Sequence, residues 1–327
     1  MDLITQGVLG AACAQAGLHH KDPRNAWLVG ALAGMAADLD VLISSKQEPL
    51  LTMLYHRSFT HSLIFIPTGA IIVTLILLLF KRFRVQWGYT LGAALIGYAT
   101  HGLLDAFTSY GTQLYWPFSN VRISWDIVSI VDPLFTIILL IGIVWTIVFS
   151  SRKGVIISLV FAALFLAFNA VQHQRALTAG YHYSAANNLH LTRVRAFPKL
   201  ASSTHWRLVG QAGKDLFVAD VYTPLYKASQ LTPVARLPLF NNELPAFVQS
   251  SPTLMREFAI FQWFTDDYLV LASKQPFVLA DGRYLSGARP VYSFWGIQFK
   301  PGENHIQRRG AIKLEDASHE NSNTGHR

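Results

Sequence analysis

Long apolar runs occupy most of the first half of the chain and are separated by short polar segments. A helix needs about 20 mostly apolar residues to cross a bilayer. Six runs of 16 to 19 residues approach that length: 3–18, 26–43, 62–80, 87–104, 134–149 and 155–170. The first run is rich in small residues, so half-embedding is the alternative to a full crossing there. The pattern predicts a polytopic α-helical membrane bundle of about six spans over residues 1–172.

The apolar pattern changes its period after residue 172. The runs HWRLVGQAG and DLFVADVYT alternate apolar and polar positions around a Gly-Lys-Asp turn, which is typical of a hairpin. The segment YLVLASKQPFVLADGRYL predicts a second hairpin with Asp281-Gly282 as its turn signal. Residues 251–266 have the apolar spacing of a helix. We therefore expect a small soluble α+β domain over residues 173–313. The polar residues 314–327 predict a disordered tail.

Composition supports the division into a membrane half and a soluble half. Hydrophobic residues make up 51% of the chain and charged residues only 14%. Residues 1–172 contain 10 Lys and Arg and 8 Asp and Glu, whereas residues 173–327 contain 17 and 11. The net charge of +8 is spread without a basic run and is interpreted as solvated surface, so nucleic acid is not an expected partner. The apolar first half makes membrane lipids the expected partners. The single cysteine, Cys13, excludes an internal disulfide.

The basic residues of the short loops are unevenly distributed between the two sides of the predicted bundle. Seven of them fall on one side: Lys21, Arg24, Lys81, Arg82, Arg84, Arg152 and Lys153. Three fall on the other: Lys46, Arg57 and Arg122. Because lysine and arginine favour cytoplasmic loops, the first side is predicted to be cytoplasmic. The opposite face and the C-terminal domain are then expected on the extracytoplasmic side.

Acidic and histidine side chains collect at the face opposite the basic loops. Three pairs lie there: Asp38 and Asp40, His56 and His61, and His101 and Asp105. Ionisable groups beside membrane spans are costly, and by default they are functional candidates. His101 and Asp105 are four residues apart, so on a helix they project from one face. Imidazole and carboxylate groups together predict a divalent metal site, with zinc first and manganese or iron as alternatives.

Four segments in a fixed order carry a family resemblance. They are MDLITQGVLGA, ADLDVL, HRSFTHSL and HGLLDAFTSYGTQLYWPFS. Over residues 1–135 they resemble the YdjM-type family of bacterial inner-membrane proteins, which are described as metal-dependent hydrolases. The resemblance implies a multi-pass protein of the bacterial inner (cytoplasmic) membrane with a hydrolytic metal centre. Longer members of that family also carry a C-terminal extension.

The resemblance implies roles for the polar residues of these motifs. By position, the implied metal ligands are Asp38, Asp40, His56, His61, His101 and Asp105. In the mechanism that we favour, one of Asp38 and Asp40 binds metal together with His61, His101 and Asp105, and the other accepts a proton from the attacking water; we assign the base to Asp38 and keep Asp40 as a ligand. Arg57 and Thr60 join Asp38 as implied catalytic residues. The residues expected to line the substrate are Gln6, Ser62, Thr108, Gly111 and Trp116.

Two positions depart from the family pattern. Gln6 stands where the family has a histidine, and Ala37 stands where it has a proline. An amide oxygen is a poorer metal ligand than imidazole, so a mononuclear centre or an altered metal is the alternative here.

These residues predict an integral membrane hydrolase in which metal-activated water attacks a phosphoester or another ester. Arg57 would orient the substrate and stabilise negative charge that develops on it. A site at the membrane surface favours a lipid or lipid-linked substrate. Two other interpretations fit the same residues: a transporter coupled to ions or protons, and a non-catalytic membrane scaffold with a structural metal. The acids cluster at one face rather than at the bilayer midplane, which argues against the transporter.

Overall fold

The computed structural model describes residues 1–315, so most of the predicted tail, residues 316–327, lies outside the described part. The chain divides into two compact units. The first comprises Met1–Leu42, Tyr55–Val171 and Pro198–Ser203. The second comprises Ile43–Leu54, Gln172–Phe197 and the residues from Thr204 onward.

The first unit is helical. In chain order the helices are α1 Leu3–Leu18, α2 Ala26–Ala36, α3 Leu51–Tyr55, α4 Ile66–Leu77, α5 Lys81–Arg84, α6 Trp87–Ala106, α7 Pro133–Phe149 and α8 Lys153–Ala186. Of these helices, α3 lies in the second unit except for its last residue, Tyr55, and α8 continues from the first unit into the second. Three short 3₁₀ turns lie between them, at Ala37–Leu42, Phe59–His61 and Leu63–Phe65.

Side-chain caps define where two of these helices begin. The Asp2 carboxylate accepts a hydrogen bond from the backbone N–H of Thr5 at 3.0 Å and caps α1. Asp132 caps α7 in the same way through the N–H of Phe135 at 3.2 Å. Each cap satisfies a backbone donor that has no partner within its own helix.

Glycine at position 30 allows α1, α2 and α6 to pack at backbone distance. A Cβ atom at Gly10 of α1 or at Gly97 of α6 would clash with the carbonyl oxygen of Gly30 on α2. The three helices share a core that includes Ala14, Val29 and Ala93. This close approach brings the C-terminal end of α2 against α1 and α6, where the polar residues of the motifs lie.

The prediction of about six membrane-spanning helices is wrong. Within residues 1–315, one helix, α8 with 34 residues, is long and apolar enough to cross a membrane. A second candidate exists only if Leu51–His61 and Leu63–Leu77, which are bent by 61°, count as one span. The first unit is therefore not a polytopic bundle.

The correction has a physical reason, because the length of an apolar run does not set the length of the helix it forms. The run 26–43 forms an α-helix of only 11 residues before it tightens into the 3₁₀ turn Ala37–Leu42. At about 1.5 Å per residue, the 16-residue α1 is shorter than the roughly 30 Å apolar layer of a bilayer. Helix α6 has 20 residues, but its polar and small residues keep it below the hydropathy of a span.

The second unit is β-rich. Its strands are β1 Thr192–Pro198, β2 His205–Ala212, β3 Asp215–Tyr222, β4 Gln230–Pro238, β5 Leu269–Lys274, β6 Phe277–Asp281, β7 Leu285–Ser286, β8 Val291–Phe299 and β9 Gln307–Leu314. One sheet has the order β1-β2-β3-β4, and the other has the order β5-β6-β8-β7 with β9 paired to β8. Two helices, α9 Ala246–Gln249 and α10 Pro252–Phe264, lie between β4 and β5 in the sequence.

The first predicted hairpin is present, and the second has its turn at another place: β5 and β6 pair antiparallel around Gln275 and Pro276, and not around Asp281-Gly282 as predicted. In the first, β2 and β3 pair antiparallel from His205 opposite Tyr222 to Ala212 opposite Asp215. Gly213 takes a φ of 63° in the turn that joins them, a conformation that glycine adopts without strain. Residues of both sheets, such as Val218 and Val270, share one buried core, so this unit has a hydrophobic interior of its own.

Candidate metal centre

Four side chains of the first unit converge at the C-terminal ends of α2 and α6. Asp38 comes from the 3₁₀ turn that follows α2, and His61 ends the 3₁₀ turn Phe59–His61. His101 and Asp105 project from one face of α6, as their spacing predicts. Each of the four offers a ligand atom, and these atoms all lie within 4.8 Å of one another.

A glycine makes this convergence sterically feasible. A Cβ atom at Gly102 would clash with the backbone carbonyl oxygen of His61. The absence of a side chain at this position on α6 therefore allows the His61 segment to approach the helix between His101 and Asp105.

The four ligand atoms have the spacing of a metal coordination shell. The Nε2 atoms of His61 and His101 are 2.9 Å apart. Asp38 Oδ1 lies 3.5 Å and 3.4 Å from them, and Asp105 Oδ2 lies 3.3 Å and 3.6 Å from them. Zinc bonds of about 2.0–2.2 Å in tetrahedral geometry give ligand separations of about 3.4 Å. The spacing of both carboxylates from both imidazoles thus fits such a site.

Hydrogen bonds on the far side of each imidazole define which nitrogen faces the cluster as an acceptor. His101 Nδ1 lies 2.5 Å from the carbonyl oxygen of Gly34, which can only accept, so Nδ1 carries the proton. His61 Nδ1 lies 3.2 Å from Asp40 Oδ2, which is also an acceptor. In their neutral forms both rings therefore turn a lone pair on Nε2 toward the cluster, as metal-binding histidines do.

The chemistry of this donor set fits a divalent metal. Two imidazole lone pairs and two carboxylate oxygens face one another in a site where His61, His101 and Asp105 have fully buried side chains. Asp105 Oδ2 is buried and has no hydrogen-bond donor of good geometry. Burial lowers the pKa of His61, but hydrogen bonds with Asp105, Asp38 and Asp40 raise it to about 10, so this cluster favours a positive charge at its centre, which a proton or a metal ion can supply.

Asp40 accepts hydrogen bonds from the segment that carries the predicted ligands. Its Oδ2 accepts from the Thr60 hydroxyl at 2.7 Å and from the backbone N–H of Arg57 at 3.1 Å. Its Oδ1 lies 2.7 Å from His56 Nδ1. Although burial opposes it most strongly, hydrogen bonding from His56 and His61 holds the pKa of Asp40 below its usual range.

Arg57 connects this segment to Asp105. Its backbone has a φ of 63°, in the left-handed region, which is uncommon for a residue with a side chain. The guanidinium Nε lies 3.1 Å from Asp105 Oδ2, and Nη1 donates to the Thr108 hydroxyl at 3.0 Å. Burial again opposes the ionised form most strongly, but Arg57 and the Met1 amino group hold the pKa of Asp105 well below its usual range.

Gln6 contacts the cluster through its amide group. Its side chain is buried, and Nε2 donates to Asp105 Oδ1 at 2.8 Å and to the His101 carbonyl oxygen at 3.3 Å. Both partners are acceptors, so the amide nitrogen must face them. Gln6 thus orients Asp105 in this structure.

The other residues predicted to line the substrate contact the backbone or the neighbours of the ligands. Thr108 donates to the backbone carbonyl of Asp105 at 2.7 Å, and Ser62 donates to the carbonyl of Phe59 at 2.7 Å. Trp116 packs against the Phe59 ring, with centroids 6.0 Å apart. Gly111 has a φ of 88° and allows Arg122 to pack against its backbone.

Three contacts of the site have no signal in the sequence. The Arg57 guanidinium lies over the Tyr110 ring, 4.8 Å from its centroid, and the Arg122 guanidinium lies 4.7 Å from the same centroid. The Met1 amino group contacts Asp105 Oδ1. All three contacts depend on how separate segments pack, so neither spacing nor residue type could predict them.

Comparison with known proteins places the chain in a family. Residues 1–176, more than half of the chain, match the model of the YdjM inner membrane protein family, and the chain belongs to that family. This confirms the resemblance drawn from the four motifs and supports a bacterial inner-membrane location. The sidedness of the site stays a prediction.

One curated relative shares part of the sequence. The Bacillus subtilis (strain 168) protein named "Uncharacterized protein YfhP" is 31% identical over an alignment of 145 residues that covers 41% of this chain. The chain spans 42% of the length of that relative. No solved structure matches the chain.

Proposed function

We propose that this protein is a metal-dependent hydrolase of the inner membrane and that its metal is held by Asp38, His61, His101 and Asp105. The observation that carries the proposal is the convergence of four ligand atoms, two imidazole nitrogens and two carboxylate oxygens, that all lie within 4.8 Å of one another. Zinc is the first candidate, since two imidazoles and two carboxylates match its preferred ligands, and manganese and iron are alternatives.

A divalent ion in such a site supplies a nucleophile at neutral pH by lowering the pKa of water, and it polarises the oxygen of the substrate. The protein residues around it keep the ligands in place. Asp40 and Thr60 orient the His61 ring through Nδ1, and the Gly34 carbonyl orients His101. Such partners determine which nitrogen remains free for the metal.

Arg57 is the residue that we assign to the substrate. Its guanidinium is held next to Asp105 Oδ2 and against the Tyr110 ring, so it is oriented before any substrate binds. A planar guanidinium can pair with two oxygens of a phosphate or carboxylate and stabilise negative charge that develops there. A phosphoester is therefore the favoured substrate, with other esters as the alternative.

A lipid or lipid-linked substrate is favoured by the apolar side chains that border the ligands. Leu39 lies between Asp38 and Asp40 and is 63% exposed. Leu63 and Ile64 follow the His61 turn and are 48% and 53% exposed. Exposed apolar groups of this kind contact acyl chains, so the headgroup of a membrane lipid would lie at the metal.

Turnover by purified protein tests the proposal. The full chain in lipid nanodiscs, loaded with zinc, manganese or iron, is assayed against phospholipids, polyprenyl phosphates and soluble phosphoesters. We expect lipid hydrolysis that is lost in His101→Ala and kept in the matched control His182→Ala, whose histidine is exposed on α8. Hydrolysis of soluble esters alone would contradict the lipid assignment. Stoichiometric metal without turnover on any substrate would contradict the hydrolase assignment.

A further inference from the structure

We propose that the centre has a second metal position, formed by Asp38, Asp40 and His56, which shares Asp38 with the first. This inference rests on the proposed function, because it adds an ion to the same site. Asp38, Asp40 and His56 each offer a ligand atom, and these atoms lie within 4.8 Å of one another. Asp38 belongs to both groups of ligands.

The two oxygens of Asp38 are suited to two ions. Oδ1 lies 3.5 Å from His61 Nε2 and 3.4 Å from His101 Nε2, and so faces the first position. Within residues 1–315, no donor hydrogen-bonds to the other oxygen, Oδ2. A carboxylate with one oxygen facing each position can bridge two ions, which in hydrolases are about 3.5–4 Å apart.

The two oxygens of Asp40 are also divided between two tasks. Oδ2 accepts from Thr60, from the backbone of Arg57 and from the ring of His61, so it is fully used in orienting the first site. Oδ1 has one partner, His56 Nδ1 at 2.7 Å. An ion that replaces the proton between these two atoms would exchange one hydrogen bond for two coordinate bonds, and it would leave the contacts of Oδ2 unchanged.

Accessibility distinguishes the two positions. His61, His101 and Asp105, which belong to the first position alone, have side chains that are 0% exposed. In the second position His56 is 19% exposed and Asp40 is 0% exposed, and the shared Asp38 is 18% exposed. The second position therefore lies on the side of the cluster that substrate and solvent can reach. We expect its ion to bind more weakly and to exchange faster than the buried one.

Metal stoichiometry is the direct test. The full chain in detergent is stripped with a chelator, reloaded with excess zinc or manganese, desalted briefly and measured by mass spectrometry of the metal. We expect two ions per wild-type chain, one in His56→Ala and two in the control His182→Ala. One ion in both the wild type and His56→Ala would overturn the second position and leave the proposed metal site intact. No bound metal in the folded wild type would overturn both.

A spectroscopic measurement on the wild type does not depend on the folding of a variant. Two Mn²⁺ ions that share a carboxylate are magnetically coupled, so their electron paramagnetic resonance spectrum is a broad multiline pattern. A single isolated Mn²⁺ shows six sharp lines. We expect the coupled pattern at two equivalents of Mn²⁺ and the six-line pattern at one equivalent. Six lines alone at saturating Mn²⁺ would mean that Asp40 and His56 hold only a proton.

Discussion

Two regions of the molecule bury ionised groups, and they compensate them in opposite ways. In the β-rich unit, Asp281 and Arg283 have side chains that are 0% and 3% exposed. Arg283 donates to Asp281 Oδ1 through Nε at 3.0 Å and to Oδ2 through Nη2 at 2.8 Å, and Trp295 Nε1 donates to Oδ2 at 3.1 Å. In the helical unit, by contrast, the buried acceptors of the metal centre face one another.

The contrast separates a structural cluster from a binding site. A buried charge is tolerated when donors of the protein surround it, and the Asp281 carboxylate meets that condition without any ligand. At the metal centre the Arg57 guanidinium contacts Asp105 Oδ2 alone among the four ligand atoms, which otherwise face one another. Burial alone is therefore a poor indicator of function, and the match of donors to acceptors is the better one.

The largest effect that we expect is a loss of stability when the ion pair of Asp281 and Arg283 is broken. Arg283→Leu leaves Asp281 buried without its guanidinium partner, and the free energy of unfolding should fall by about 3–5 kcal/mol. Urea unfolding of the full chain in detergent measures this. The double variant Asp281→Leu/Arg283→Leu should recover most of the loss, since no charge remains buried. Loss of bound metal in the single variant would argue against the separation of the two regions.

Removal of the metal should lower the stability that the metal centre contributes and leave the contribution of the Asp281–Arg283 pair unchanged. At a free zinc concentration of about 100 times Kd, the ion stabilises the folded protein by about 2.7 kcal/mol. We expect a chelator to lower the Tm of the wild type and of Arg283→Leu by similar amounts, and to lower the Tm of His101→Ala by much less, because only the weaker second metal position remains in that variant. A chelator effect of full size in His101→Ala would show that the ion binds elsewhere.

A smaller effect should follow from loosening the metal centre without removing a ligand. Thr60 donates to Asp40 Oδ2 at 2.7 Å and lies 2.9 Å from His61 Nδ1. Thr60→Val deletes both contacts, and zinc affinity should fall about 10- to 100-fold. Competition with a chromophoric chelator measures the change. The control Thr74→Val removes a hydroxyl that bonds only within α4, so its affinity should equal that of the wild type.

The parts of this comparison that sequence could predict are local ones. The spacing of His101 and Asp105 predicts one helix face, and the family motifs name the residue types that converge. The hydrogen bonds that Asp40 accepts depend on the left-handed backbone conformation of Arg57, whose N–H donates to Oδ2. Nothing in the segment HRSFTHS predicts that conformation. The contacts of Asp281 could not be predicted from the sequence either, because Trp295 reaches it from a neighbouring strand of the sheet.

The membrane prediction failed for a related reason. Hydropathy counts apolar residues but does not register where a helix tightens or bends. The 3₁₀ turn Ala37–Leu42 ends a run that looked continuous, and it is this interruption that places Asp38 and Asp40 at the metal centre. The same local deviation that shortened the helix thus builds part of the site.

Asp132 is another buried carboxylate, and it has fewer donors around it than Asp281. We expect the smallest effect from replacing it. Asp132 is 3% exposed, and burial raises its pKa despite the hydrogen bond from the Phe135 N–H. A carboxyl group whose folded pKa is raised favours the fold when protonated, and this contribution is lost as pH rises through that pKa. Asp132→Asn keeps the cap of α7 and removes the buried charge.

We therefore expect Asp132→Asn to have a slightly higher Tm than the wild type at pH 7, with the difference vanishing as the pH is lowered toward 4. Thermal unfolding at the two pH values measures it. Asp132→Ala, which also loses the cap, should be less stable than Asp132→Asn by about 1 kcal/mol at both. A gap between wild type and Asp132→Asn that widens at low pH would mean that the protein compensates this charge as fully as it compensates Asp281.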